Sequence, residues 1–369
     1  MSESNDLCAR WAIEHDLDET EHFAESFSMK VSISVSVYNT AEYIERCVRS
    51  LYGQTLKDIE ILFVDDCTPD ESIDIALRVL EEYPERKNQV RVIHHEHNMG
   101  TAATKRDCLM QATGDYVLVV DSDDWIELNM VESMFSMVEK DSSVDMVVCD
   151  IAREFPNAVK KIEGAPNVVT DKGANIRDAI INREIPPHFS NKLIRRGILT
   201  ENDIVWPTHS YAEDRSIMAQ VAYYSKHIEY IPQMLFHYFY HTGSCVAPIQ
   251  ADGVVKNVVD YQNNLQIIED FLERKGVREQ YRSGIFAHKV MIKRMLLPYT
   301  DKLKYRKLWK NTYPELNRLL LYGDEEHRST YREKLYYISI SLGLYPKHHR
   351  RILSKRFRPS EDWVFAGQG

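Results

Sequence analysis

The stretch VLVVDSDDW, Val117 to Trp125, runs four apolar residues into Asp121, Asp123 and Asp124. An apolar run of this length, bounded by turn residues, reads as a buried strand. Like charges a few ångströms apart repel, so a cluster at its end either faces solvent at a turn or holds a cation. An Asp-x-Asp at a strand end suits a divalent ion on a diphosphate. Hard oxygen ligands bind Mn2+ or Mg2+, and the metal offsets the charge of a leaving nucleotide. Acid pairs at strand ends serve equally as solvated turns or helix caps, and Asp124 or Glu127 is placed to cap a following helix.

Upstream of this stretch a strand–helix rhythm begins at Lys30. KVSISVSVYN reads as a strand, and AEYIERCVRSLYGQ as a helix with Ile44, Cys47, Val48 and Leu51 on one face. IEILFVDD is a second strand, followed by the helix ESIDIALRVLEEY with Ile73, Leu77 and Leu80 inward. VRVIHHE is a third strand, TAATKRDCLMQAT a helix stopped by Gly114 in the left-handed manner, and DYVLVVD the fourth strand. Alternation of this kind implies a mostly parallel sheet covered on both faces, with its ligand crevice beyond the carboxyl ends of the strands. The polar residues fall there. Tyr38 and Asn39 end the first strand and Asp65 to Asp70 the second, Asn98 to Gly100 follow the third, and the Asp-x-Asp ends the fourth. The expected fold is α/β.

Downstream, NMVESMFSMVEK continues as a helix and VDMVVCD as a strand, the rhythm loosens between about 152 and 210, and from about 255 the chain turns mainly helical. The expected division is an acidic N-terminal extension over 1–28, a catalytic domain over 29–250 and a helical region over 251–369. The catalytic domain divides into a nucleotide half at 29–125 and an acceptor half at 126–250. The extension reads as a short helix around CARWAIEHDL or a mobile arm.

Composition narrows the function. A net charge of −10 over 369 residues argues against nucleic acid as a partner. No apolar run has the length of a membrane span, and the first residues are acidic rather than a charged-then-apolar leader, so a cytoplasmic location is expected. The six cysteines form no CxxC pair, which disfavours both a zinc knuckle and disulfides. The last roughly 70 residues reverse the charge balance, with about 15 Lys and Arg against about 8 Asp and Glu. Basic clusters with interleaved aromatics there admit a solvated appendage, peripheral contact with the inner face of an anionic membrane, or self-association into a homo-oligomer.

Several residues are candidates for chemistry. A carboxylate at Asp65 or Asp66 is placed to accept the imide N–H of a pyrimidine base, although the same loop reads as a turn with Asp70 capping the next helix. Gly100 permits close backbone approach at a helix start, and Lys105 or Arg106 suits phosphate. SYAEDRSIMAQ sets Glu213 and Asp214 ahead of an apolar helical face, either as first-turn acids or as a general base at the rim. FHYFYHTGS carries His237 and His241 among aromatics, a setting in which a histidine is more often structural than a ligand.

In this order and spacing, over roughly residues 30 to 245, the pieces SVSVYN, SLYGQTLKDIEILFVDDCTPD, NMGTAATKRDCLMQATGDYVLVVDSDDW, SNKLIRRG, AEDR and YFYHTGS resemble an inverting family 2 glycosyltransferase of the GT-A fold. The resemblance implies transfer of a sugar from a nucleotide-diphosphate donor, UDP-sugar favoured, to the hydroxyl of a glycan or lipid-linked saccharide, assisted by Mn2+ or Mg2+. It implies that Asp65 and Asp66 line the base and ribose pocket beside Tyr38. It further implies that Asp121 and Asp123 form the metal-binding pair, with Asp123 favoured as the direct ligand, that Asp214 is the base, and that His241 is a distal contact to metal or diphosphate. Two departures stand out: Ser36 where the family has Pro, and Lys105-Arg106 where it has Arg-Asn. The second leaves open which cation holds the phosphates, since Lys is a point charge and Arg a planar fork.

Rival activities lose on specific residues. A nucleotidyltransferase or a Rossmann oxidoreductase needs a glycine-rich loop after the first strand, and SVYNTAEY has no glycine. A phosphatase using the Asp-x-Asp does not account for the other three rims or the distant Glu-Asp pair. A non-catalytic sugar-nucleotide scaffold does not account for Asp121, Asp123 and Asp214 together.

Overall fold

The computed structural model describes residues 29–155, 158–162, 174–241, 251–322 and 331–344. The N-terminal extension, Cys8, Cys245, residues 242–244 of the FHYFYHTGS stretch and the basic stretch from Tyr345 onward lie outside them.

Seven elements build the first half in strict alternation: β1 (Val31–Val37), α1 (Ile44–Tyr52), β2 (Ile59–Asp65), α2 (Ser72–Leu80), β3 (Val90–His94), α3 (Thr101–Met110) and β4 (Tyr116–Asp121). The four strands lie in the order β3-β2-β1-β4, all parallel. Their register matters most for the site. Val37 pairs with Asp65, Ser36 with Asp121, and Asp65 with His94, so every strand ends at one edge.

β1 alternates apolar and serine residues. Val31, Ile33, Val35 and Val37 join one buried cluster with Ile44, Cys47, Val48 and Leu51 of α1. Each such side chain contributes about 1.5–3 kcal/mol by leaving water. The serines face α3 and its following turn. The Ser32 hydroxyl donates to Glu60 and accepts from Gly114 N–H, while that of Ser36 donates to Asp121. Small residues are required because the chain approaches closely. A Cβ on Gly114 would lie 2.7 Å from the Ser32 nitrogen and 2.8 Å from the Val31 carbonyl carbon.

This corrects the role expected of Gly114. α3 ends at Met110 with Gln111 as its C-cap, and Gly114 is a close-approach glycine against β1 rather than a helix stop. A second correction concerns α2, whose inward face is Ile73, Ala76, Val79 and Leu80, with Leu77 only partly buried. The helix begins at Ser72, and this sets its buried face.

The second half adds β5 (Trp125–Ile126), α4 (Met130–Lys140), β6 (Met146–Phe155), β7 (Ala158–Ile162), α5 (Ala174–Ile181), β8 (Lys192–Arg195), α6 (Arg196–Thr200), α7 (Glu213–Tyr224) and β9 (Ile228–Phe239). The sheet continues from β4 as β8-β6-β9-β5, with β7 paired to β6. β8 runs antiparallel to both β4 and β6, and β5 antiparallel to β9. The result is a nine-stranded mixed sheet whose nucleotide-side half is wholly parallel.

Five helices follow: α8 (Ala251–Arg274), α9 (Arg282–Met295), α10 (Leu303–Asn311), α11 (Pro314–Tyr322) and α12 (Tyr331–Ser341). Val258, Tyr261, Leu265, Phe271 and Ile292 share one apolar cluster with Ile217 and Val221 of α7 and with Leu62 and Val64 of β2. The helical region therefore packs into the core on one sheet face, while α1, α2 and α4 cover the other. This is the GT-A architecture that the sequence resemblance implies. Among the described residues no helix is long and apolar enough to cross a membrane.

Candidate active site

The loop after β2 is built around buried carboxylates. Asp66 accepts backbone N–H groups from Met99 at 2.7 Å and Gly100 at 2.9 Å, and His95 Nδ1 lies 2.8 Å from the oxygen that accepts from Met99. His95 Nε2 contacts Asp107 of α3 at 3.0 Å, so the ring ties this loop to α3. Asn98 donates to the Asp66 carbonyl at 3.4 Å. Asp65 accepts from Thr68 N–H at 2.8 Å and lies 2.9 Å from His94 Nδ1, and its side chain keeps 12% exposure at the rim. Asp66 holds the loop and Asp65 borders the cleft. Asp70 accepts from Ser72 N–H at the start of α2 and from Ala41 N–H at 2.8 Å, joining two strand-end loops. Tyr38 is exposed beside them, and Asn39 takes a left-handed backbone with φ 54°.

α3 settles which of its two cations faces the cleft. Ala102, Lys105, Cys108 and Leu109 share its buried side, whereas Arg106 is exposed and pairs with Asp107. The Lys105 ammonium lies 3.4 Å from Asp121 Oδ1 and 3.5 Å from Glu213 Oε1. One cation thus spans the end of β4 and the start of α7.

The three aspartates after β4 have different surroundings. Asp121 is partly exposed and Asp123 less so, at 35% and 25% of their side chains. Asp123 Oδ2 contacts His241 Nε2 at 2.9 Å. Burial, then the charge of Asp121, raises the Asp123 carboxyl, with His241 opposing. Asp124 is buried and does not cap α4, whose N-cap position is Asn129. Its Oδ1 accepts from Phe239 N–H at 2.7 Å, fastening the β4 turn to β9. Burial, reinforced by Asp123 and Asp121, raises its carboxyl well above the usual range. Glu127 likewise faces His237 at 2.9 Å instead of capping the helix. Trp125 stacks on His237 at 5.0 Å, and the Arg46 guanidinium lies 3.5 Å from the Trp125 ring. His237 is held between Glu127 and Glu154, whose Oε1 lies 2.8 Å from its Nδ1.

His241 is flanked by Tyr43 at 4.2 Å and Phe239 at 5.6 Å. The same two aromatics line a cavity of about 470 Å³ against α1. Two carboxylates and an imidazole at the cleft edge are the donor set that Mn2+ or Mg2+ accepts. Among the described residues no three such groups are preassembled around one point. Asp121 contacts Lys105 and Asp123 contacts His241, and both carboxylates retain exposed surface, so the residues fit a divalent ion.

α7 opens with the Glu-Asp pair. Ala212 immediately before it has φ 64°, a strained conformation for a residue with a Cβ. Glu213 is buried, and burial raises its carboxyl to about 7, with Lys105 opposing and Asp214 assisting. Asp214 is the more open of the two, at 18% side-chain exposure against 8%, and its Oδ2 lies 3.8 Å from His188 Nδ1. Enclosure, then the positive charges of Lys192, Arg215, Lys105 and Arg153, pushes His188 down to about 3.

Sequence reasoning did not assign His188 or Lys192. Lys192 is fully buried and donates to the carbonyls of Pro186 and His188 and to Asn191 Oδ1 at 2.7–2.9 Å. Burial pushes its ammonium down to about 7. It fixes the loop that presents His188 to Asp214. The SNKL stretch was its only trace in the sequence, and nothing in that pattern reveals a loop clamp.

Comparison with known proteins bears on this site. Residues 32–201 match the family model described as Glycosyl transferase family 2. EpsH of Bacillus subtilis (strain 168), named as a glycosyltransferase, is 30% identical over 260 residues, 69% of this chain and 72% of EpsH. The poly(ribitol-phosphate) beta-N-acetylglucosaminyltransferase TarS of Staphylococcus aureus (strain Mu50) is 29% identical over 203 residues, 53% of this chain but only 32% of TarS. The crystal structure of S. aureus TarS 1–349 gives a TM-score of 0.56 at 20% identity, covering 88% of this chain and 92% of that one. Its complex with UDP-GlcNAc gives 0.54 at 21% identity over the same shares. At such identity the structural likeness concerns the fold.

Proposed function

This chain belongs to glycosyltransferase family 2, and from that premise we propose that it transfers a sugar from a UDP-sugar to a saccharide hydroxyl with inversion. The observation that carries this reading is the reach of Lys105 between Asp121 and Glu213. It brings the strand-end acids of the nucleotide half beside an acid pair far away in sequence, an arrangement that a phosphatase or a solvated turn does not require.

In this reading the uracil lies between Tyr38 and Asp65, whose carboxylate oxygens each retain a lone pair for the imide N–H. Asp66 acts behind it by holding Met99 and Gly100 in place. The backbone at Gly100 and the ammonium of Lys105 receive the diphosphate at the start of α3. A divalent ion, when bound by Asp121, Asp123 and His241, offsets the charge on the leaving diphosphate. Asp214 takes the proton of the attacking hydroxyl as that oxygen approaches the anomeric carbon in line, a contribution of about 10²- to 10⁴-fold. A single displacement converts an α-linked donor into a β-linked product. Asp214 is preferred over Glu213 as base because it is the more open, while Glu213 is buried against Lys105.

The test is calorimetric titration of UDP and GDP, each with and without Mn2+, into wild type and Asp123→Ala. Metal-dependent UDP binding that the variant loses supports the reading. Binding of neither nucleotide to wild type would defeat it and return the phosphatase and scaffold readings to the front. Once a donor is found, near-wild-type transfer by Asp214→Asn would refute the base assignment.

A further inference from the structure

The first turn of α7 carries a feature that sugar transfer as described does not use. Successive helical residues point about 100° apart, so Glu213 meets Lys105, Asp214 meets His188, and Arg215 turns toward α8. The Arg215 guanidinium lies 5.8 Å from the ring of Tyr261. The hydroxyl of Tyr261 is 2.9 Å from Nδ1 of the buried His288 on α9, and Arg183 is a close electrostatic neighbour of the same tyrosine. Arg183 sits in the turn after α5 with φ 64°, and its Nε is buried without a hydrogen-bond partner.

Two half-buried guanidinium groups therefore converge on one tyrosine. Among the described residues neither Arg183 nor Arg215 has a carboxylate within ion-pair distance. The neighbouring charges are positive too. Arg294 acts on Arg183, and burial followed by Arg215 and Arg183 drives His288 well below its usual range. Like charges gathered away from water are costly unless a counter-charge joins them. Two planar forks with five donors each match the oxygens of a phosphoryl group, which offers several acceptors to a bidentate grip.

We propose that Arg183 and Arg215 form an anion subsite beside Asp214 that receives a phosphate group carried by the acceptor. Arg215 leaves α7 toward Tyr261 of α8, whereas Glu213 of the same turn meets Lys105. The inference rests on the donor reading only for the word acceptor; the anion site itself stands on the two arginines. It makes the enzyme selective for phosphate-bearing glycan or lipid-linked acceptors over neutral sugars.

The experiment titrates sn-glycerol 3-phosphate, glycerol and acetate at fixed ionic strength into wild type, Arg183→Gln, Arg215→Gln and the double variant. UDP with Mn2+ is titrated into the same samples. Glycerol 3-phosphate is expected to bind wild type, to bind each single variant about tenfold more weakly, and to leave the double variant unbound. UDP affinity is expected to stay within about twofold, the scale left when no charge-assisted contact is lost. Where a glutamine variant does not fold, Arg183→Lys and Arg215→Lys keep the charge but lose the fork, and weaker phosphate binding should persist.

No glycerol 3-phosphate binding to wild type, or equal binding to the double variant, overturns the subsite while leaving the donor reading intact. Loss of UDP binding in Arg215→Gln puts the arginine on the donor side and also overturns it. Acetate binding as well as the phosphate would remove the choice of phosphate. Failure of UDP on wild type would count against the nucleotide-sugar reading alone, because the glycerol 3-phosphate arm still decides the subsite.

Discussion

Replacing Glu213 by glutamine isolates the electrostatics at the start of α7. Burial raises this carboxyl from 4.5 to about 7. A rise of that size corresponds to roughly 3 kcal/mol between its two protonation states. The fold favours the neutral acid, so the stability it contributes is complete below pH 4.5 and is lost as pH rises through 7. Linkage puts the loss at about 1 kcal/mol at pH 5 and about 3 kcal/mol at pH 7. Glutamine has nearly the same shape and no charge to bury. The stability of Glu213→Gln relative to wild type should therefore improve by about 2 kcal/mol between pH 5 and pH 7, then change little up to pH 9. Urea denaturation followed by circular dichroism at pH 5, 6, 7 and 9 measures this directly. A difference that is flat with pH refutes the argument. So does one that grows in favour of wild type, because Glu213 would then be held ionised by Lys105 at 3.5 Å.

Two further outcomes follow from the geometry. Lys105→Met should weaken Mn2+-supported UDP binding by about 10- to 100-fold, the value of a charge-assisted phosphate contact. Arg106→Ala, which removes an exposed cation paired with Asp107, should leave it within about twofold; calorimetry giving the reverse order would mean that Arg106 holds the phosphates. Gly114→Ala should cost about 1–3 kcal/mol in urea denaturation, because its Cβ would press on backbone atoms of β1 that cannot rotate away. A cost below about 0.5 kcal/mol, the range of an uneventful surface change, would contradict the close approach.

The strand-end rim was legible in the sequence because its signals are local. Four apolar runs each stop at polar residues, and parallel pairing then puts those stops at one edge whatever the details of packing. The choice between Lys105 and Arg106 was also within reach. Ala102, Cys108 and Leu109 define the phase of α3, and Lys105 falls among them. Gly114 was misread, and the cap weighed as an alternative for Asp124 does not form, for one shared reason: a glycine after a helix and an acid before one look like caps, and only tertiary contact reveals other uses. Gly114 yields to β1, and Asp124 reaches Phe239 on a strand that the chain forms much later. Arg183, Arg215 and Tyr261 come from three separate elements, so no spacing rule brings them together.

The turn after β4 offered two meanings, a solvated bend or a cation-holding site, and its surroundings support the proposed second one. A solvated bend leaves its acids in water and takes glycine wherever the backbone turns left-handed. Here Asp124 is buried with a raised carboxyl, Asp66 is enclosed by two backbone N–H groups, and Glu213 is buried beside Lys105. Asn39, Cys67 and Ala212 adopt positive φ without being glycine, and these are three of the five such residues among those described. Strain of this kind costs on the order of 1–3 kcal/mol per residue and persists only where the surroundings enforce it. All three lie in the strand-end loops or directly before the Glu-Asp pair. The fold gives up stability along one rim, and the acids it leaves partly open there, Asp121, Asp123 and Asp214, are those to which the proposed transfer assigns metal binding and proton removal.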